Sequence, residues 1–249
     1  MKDYFQKISD KLFNSLENHE ILVLNFDAEK TDFVRFNHSK IRQAGNVNQA
    51  TLTLNLIFKK KTLTSVIRLS TDFEKDSVLL IRTLSYLRRE IPELPKDPYL
   101  MYEKNINSFE QNITGSKLDN YSITGNILDN CHALDMVGIL SSGTIMKGFA
   151  NSLGQFNWHE SESFNFDWSM YAESGKAIKQ NYSDQEWNQE AFSNLLSESK
   201  EKLKVIDNKE IILQPGKYKV YLSPSALNEI VDMLSWGGFS YKANKIGSS

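Results

Sequence analysis

Apolar and polar positions repeat along this chain with two periods. Phe164, Phe166, Trp168 and Met170 alternate with Asn165, Asp167 and Ser169. A period of two buries one face of a strand and wets the other. Upstream, Lys147 to Gln155 reads as a strand, a tight turn at Ser152-Leu153-Gly154 and a second short strand, with Gly154 suited to the positive backbone dihedral of such a turn. Leu52, Leu54, Leu56 and Phe58 alternate in the same way with Thr51, Thr53 and Asn55. Lys59-Lys60-Lys61 then marks a solvated hairpin end, and Leu63 to Leu69 returns. Further strands are expected over residues 20–27, 32–37, 135–140, 177–182, 211–213 and 218–222, with a return strand starting at 40–43 and turns at Asn37-His38-Ser39, Ser141-Ser142-Gly143 and Glu173-Ser174-Gly175-Lys176.

The other period is helical. Phe5, Ile8, Leu12, Phe13 and Leu16 form one stripe over residues 4–16. Thr71 or Asp72 caps a helix to about Glu90, with Val78, Ile81, Leu84, Tyr86 and Leu87 as its apolar positions. A short helix is expected near 127–133. Another starts at Ser183 or Asp184 and runs to about Val205, with Trp187, Ala191, Leu195 and Leu203 inward. Ser223-Pro224 opens a last helix that Gly237-Gly238 ends. Its stripe Leu227, Ile230, Val231 and Leu234 is expected to be left partly uncovered. Residues 105–125 are polar and read as a loop or an ill-defined helix start.

Two halves of this map match. Phe36 and Ser39 recur as Phe149 and Ser152 with a shift of 113, and Leu52, Leu54, Leu56 and Phe58 recur as Phe164, Phe166, Trp168 and Met170 with a shift of 112. The expected fold is α+β: antiparallel sheets covered by long helices, in a pseudo-repeat of two helix–meander–helix units. Pro92, Pro95 and Pro98 mark an extended linker. The expected division is 1–98 for the first unit, 99–222 for the second, and 223–249 for the last helix and the start of something further.

Composition narrows the partners. A formal net charge of -2 over 249 residues gives none of the basic excess that a direct nucleic-acid partner calls for. The single cysteine, Cys131, excludes an intramolecular disulfide framework and fits a reducing compartment. No apolar run approaches the roughly 20 residues that span a bilayer, and Met1-Lys2-Asp3-Tyr4 does not open a signal peptide. A cytoplasmic location is expected.

Candidate chemistry is sparse. His159-Glu160-Ser161-Glu162 has ligand-type residues, but on a strand His159 and Glu160 point to opposite faces and cannot converge on one ion without a bulge. His19, His38 and His132 are isolated, and Cys131-His132 lacks the second pair of a structural zinc site. No glycine-rich loop leads a strand into a helix as phosphate binding requires. No cofactor and no metal are expected.

Gly148-Phe149-Ala150-Asn151-Ser152-Leu153-Gly154-Gln155, with Trp158-His159-Glu160 after it and Leu213-Gln214-Pro215-Gly216-Lys217-Tyr218-Lys219-Val220 further on, resembles the TldD/PmbA family. These are the so-called modulators of DNA gyrase, related to metallopeptidases. The resemblance runs from about Phe33 to Gly238. It implies that the helix after Pro224 stands where active TldD-type members carry His-Glu-x-x-x-His, two zinc ligands and a general base. Here Asn228 and Met233 replace the histidines and Glu229 stands at the glutamate, so the chain is similar to the PmbA (TldE) type that lacks the motif. The resemblance also implies a β-rich C-terminal domain after the motif helix, which this sequence does not contain.

On this reading the chain is a non-catalytic subunit in peptide or protein processing. It binds an unfolded peptide and pairs with itself or with an active TldD-like subunit. The alternatives are a zinc-dependent peptidase with ligands not visible in the chain, and a small-molecule binding domain.

Overall fold

The computed structural model describes residues 1–113 and 119–248. Two compact units make up the chain, Met1–Asn208 and Lys209–Ser249. No helix among the described residues is long and apolar enough to cross a membrane.

The larger unit is an α+β structure built on one seven-stranded sheet. Its strands are β1 (Ile21–Asn37), β2 (Lys40–Phe58), β3 (Lys61–Leu69), β4 (Glu110–Ile113), β5 (Met136–Asn151), β6 (Phe156–Tyr171) and β7 (Ala177–Asp184). They lie in the order β3-β2-β1-β5-β6-β4, and β7 also pairs with β6. Every pairing is antiparallel except β4 with β6.

Four helices pack on the sheet: α1 (Lys2–Phe13), α2 (Phe73–Glu90), α3 (Asn120–Cys131) and α4 (Gln189–Ile206). Asp72 caps α2 by accepting from the amides of Glu74 and Lys75, and Asn188 caps α4 by accepting from Ala191.

The matching halves predicted from spacing are present as topology. α1-β1-β2-β3-α2 and α3-β5-β6-β7-α4 run in the same order, and the two meanders meet where β1 pairs with β5. The alternating rows Leu52–Phe58 and Phe164–Met170 both lie on the middle strand of their meander. The turn serines that recur at a shift of 113 make corresponding bonds. The Ser39 amide donates to the Met136 carbonyl at 2.9 Å, at the start of β5. The Ser152 amide donates to the Leu22 carbonyl at 3.0 Å, near the start of β1.

Strict alternation sorts the sheet into a covered and an open face. Leu22, Leu24, Phe26, Leu52, Leu54 and Leu56 are buried under α1 and α2 in one core. Leu140, Phe164, Phe166, Trp168 and Met170 are buried with α3 and α4 in a second. The strands are long enough to serve both: Ala150 and Trp158 end in the first core and Phe36 in the second. Midway along β1 the cores part, and Lys30 and Asp32 are exposed.

This division explains where the sequence-based expectation of separate strands fails. Residues 20–27 and 32–37 are one strand, as are 40–43 and 51–58, because the ladder runs unbroken through their polar middles. Ser141-Ser142-Gly143 is not a turn but the centre of β5. Gly143 has φ +150 there, and a Cβ would stand 2.2 Å from the Lys30 carbonyl oxygen. The strand expected before the Ser152-Leu153-Gly154 turn is the end of β5, and the second short strand and the long one to Met170 are a single strand, β6.

Other boundaries move as well. α3 begins at Asn120 rather than near 127, and α4 at Gln189 rather than at 183 or 184, since β7 continues to Asp184. The parallel strand β4 falls in the region read as loop; residues 114–118 of that region lie outside the described ones.

The smaller unit holds α5 (Pro224–Ser235) and α6 (Tyr241–Ile246). Residues 211–213 and 218–222 are not strands, and Ile211, Ile212, Val220 and Tyr221 are exposed. Two short strands without a sheet to join are marginal in water. The stripe Leu227, Ile230, Val231 and Leu234 on α5 is between 41% and 49% exposed.

Candidate functional site

The position singled out by resemblance lies on α5. The Ser223 hydroxyl accepts from the Ala226 amide, and Pro224 fills the first turn, so the helix starts where the local signals place it. Asn228 and Asp232, four residues apart, share a face, and the Asn228 amide donates to the Asp232 carboxylate at 2.9 Å. Glu229 is exposed and Met233 is 66% exposed. An amide oxygen and a thioether are poor zinc donors beside imidazole.

The remaining candidates are dispersed. His159 lies on the open face of β6, while Glu160 lies on the other and accepts from the Trp158 indole at 3.3 Å. His38 sits in the β1–β2 turn with Nδ1 2.7 Å from the Asp135 carboxylate. His132 follows α3 and places Nδ1 2.7 Å from the Asp129 carbonyl. His19 occupies a turn with φ 68. Cys131 is buried in the second core, and burial pushes its thiol up to about 11, far from a nucleophile's range. Among the described residues no three His, Cys, Asp or Glu side chains are grouped to hold a metal.

What the strands do bring together is the open face of the sheet. A hollow of about 380 Å³ lies over its centre, floored by Phe33, Ile139 and Ile145 with Thr31, Ser141 and Ser163 around them. Gly143 lines it too. A second hollow, of about 560 Å³, continues toward the β1–β2 turn and shares Arg35 and Ile139 with the first. Val137 and Ile139 lie in it, and Arg35, Arg42 and Lys179 supply its cations. Asp167 is its carboxylate, held by the side-chain amides of Asn165 at 2.8 Å and Asn181 at 3.0 Å.

Sequence reading did not single out these residues. A signal was present in Phe33, Ile139 and Ile145, apolar side chains at strand positions whose phase puts them opposite the core.

Solved structures share this fold. The matches include a candidate modulator of a DNA gyrase from Thermotoga maritima, at 12% identity and TM-score 0.56, covering 78% of this chain and 47% of that one. TldE from Thermococcus kodakarensis matches at 11% identity and TM-score 0.53, covering 81% and 47%. A candidate modulator of DNA gyrase from Bacteroides thetaiotaomicron matches at 10% identity and TM-score 0.55, covering 82% and 49%. These structural neighbours are of the TldD/PmbA type that the motifs resemble. At such identities the likeness lies in the fold, and the chain spans about half the length of the structures it matches. No family model and no curated protein matches the chain.

Proposed function

We propose, from the fold shared with TldE and the gyrase-modulator structures, that this chain is a non-catalytic TldD/PmbA-like subunit that binds unfolded peptide. The observation that carries the reading is the donor set on α5. Asn228 and Met233 stand where the resemblance puts two zinc-binding imidazoles, and the Asn228 amide is engaged with Asp232. Glu229 then has no metal-bound water to deprotonate, and a carboxylate alone cannot lower the pKa of water from about 15.7 toward 7 as zinc does.

Two kinds of surface suit an extended chain. The sheet has an outer edge at β3, where backbone groups can pair with an added strand. Its open face carries the two joined hollows. Pairing with a second copy or with an active TldD-like subunit belongs to the same proposal, and so does a place in proteolysis.

Three measurements on the purified chain test it. Metal analysis should find less than one zinc per chain. An unfolded, fluorescently labelled peptide should bind, seen as a rise in anisotropy, and should stay intact with or without chelator. One equivalent of tightly held zinc, or chelator-sensitive cleavage abolished by Glu229→Gln, would falsify the proposal in favour of a zinc peptidase.

A further inference from the structure

Three cations of the open face gather in one hollow. Near the β1–β2 turn, Arg35, Arg42 and Lys179 come from three different strands to one hollow of about 560 Å³. The side chains of Arg42 and Lys179 have no ion-pair or hydrogen-bond partner among the described residues. Among the described residues the Arg35 side chain hydrogen-bonds only the Gln43 side chain, at 3.5 Å, and it lies 5.8 Å from the Phe33 ring centre. The carboxylate in the hollow, Asp167, is already taken up by two amides.

At the opposite end of the same face Lys147 lies 3.4 Å from Asp27, and Arg68 of β3 stands in the same row. Arginine and lysine heads beside an apolar floor of Val137 and Ile139 match a ligand with carboxylates next to an aliphatic side chain.

Resting on the peptide-binding reading above, we infer that this hollow selects acidic stretches of the bound peptide. Carboxylates of the peptide dock on Arg35, Arg42 and Lys179, and an intervening apolar side chain rests on Val137 and Ile139. The peptide then crosses the strands from β2 toward β7 instead of extending the sheet. Three cations offset by Asp167 make a small footprint for a nucleic acid, whose grip relies on many phosphate contacts.

The test is fluorescence anisotropy with the full chain and three labelled unstructured peptides of one length, in which leucines are interspersed with glutamate, glutamine or lysine. The glutamate peptide is expected to bind tightest, the lysine peptide weakest, and the difference to shrink in high salt. Arg42→Glu with Lys179→Glu should weaken the glutamate peptide by about tenfold or more, since like charges now face each other. The neutral pair Arg42→Gln with Lys179→Gln should fall between. Lys147→Glu, at the far end, should change affinity by less than about twofold.

Equal binding of all three peptides, unaffected by these variants, would overturn the acidic selection and leave peptide binding standing. Binding of none would overturn both. Refusal of the glutamate peptide with capture of a single-stranded DNA oligonucleotide, lost in the Arg42→Glu/Lys179→Glu variant, would overturn the inference and assign the hollow to nucleic acid.

Discussion

The two halves of the large unit follow one path and are filled by different chemistry. In the first, α1 and α2 close over rows of leucine from β1 and β2. Buried polar bonds also fasten them. The Tyr4 hydroxyl donates to Asp76 at 2.6 Å, and Asp76 accepts from the amide and hydroxyl of Ser70 at 3.0 and 2.9 Å. Burial, reinforced by Asp76, pushes the Tyr4 hydroxyl's pKa up, so it stays a donor at any ordinary pH. Arg88 of α2 reaches Glu20 and the Ser15 carbonyl beyond the end of α1.

In the second half the same positions hold aromatic rings. Phe166 stacks on Trp168 at 4.7 Å, and both touch Phe192 of α4. The buried Trp168 indole nitrogen has no hydrogen-bond partner among the described residues. A meander and its helices thus tolerate either leucine or aromatic rows on the middle strand, although Phe5, Phe26 and Trp158 also pack together in the first core and the buried Ser142 hydroxyl of β5 ties to Asn120 of α3 in the second. Alternation and turn chemistry set the path, and side-chain identity sets how it is held.

Five substitutions probe that contrast. The largest effect is expected from the cores. Phe166→Ala should cost about 3–5 kcal/mol and Leu54→Ala about 2–5 kcal/mol. Urea unfolding followed by circular dichroism and by tryptophan fluorescence should give one coincident transition for each, because β1 and β5 make both halves one sheet. Two separated transitions would mean that the halves unfold independently.

Next is the seam itself. Gly143→Ala should cost about 1–3 kcal/mol from backbone strain alone, with the clash on the Lys30 carbonyl added to it. An unchanged urea midpoint would show that the seam has room to relax.

Tyr4→Phe removes the tie between α1 and α2. It leaves a buried Asp76 oxygen without its donor, for an expected loss of about 1–3 kcal/mol. Thermal denaturation at neutral pH should show a lowered midpoint, whereas wild-type stability would mean that the leucine core suffices.

The smallest effect concerns Arg88. Burial pushes the Glu20 carboxyl up, but bonds from the Arg88 guanidinium and the Glu17 amide outweigh it and hold the group below its ordinary value. A carboxyl depressed on folding stabilises above its unfolded pKa, near 4.3, and that contribution is lost as pH falls through the folded value. Wild type should therefore exceed Arg88→Ala by at most about 1 kcal/mol at pH 7, with the gap closing below about pH 4. A gap that persists in acid would assign the effect of Arg88 to packing.

Local chemistry along the chain determined most of the elements. Alternation over Leu52–Phe58 and Phe164–Met170 marked the two middle strands, Asp72 and Ser223 marked helix starts, and the recurrence of Ser39 as Ser152 marked the internal match. The donor types at Asn228 and Met233 were likewise legible, since they are matters of residue identity.

Tertiary structure decided what periodicity cannot carry. Lys30 and Asp32 look like a break in a strand, yet the strand runs through because its middle lies between two cores. Val78 and Tyr86 fit an apolar stripe on α2, but Leu80, Leu84 and Leu87 are the ones the sheet covers. β4 has no pattern of its own and exists through its parallel ladder to β6. The gathering of Arg35 and Arg42 with Lys179 in one hollow depends on strand register across residues more than a hundred positions apart, and short-range patterns hold no record of it.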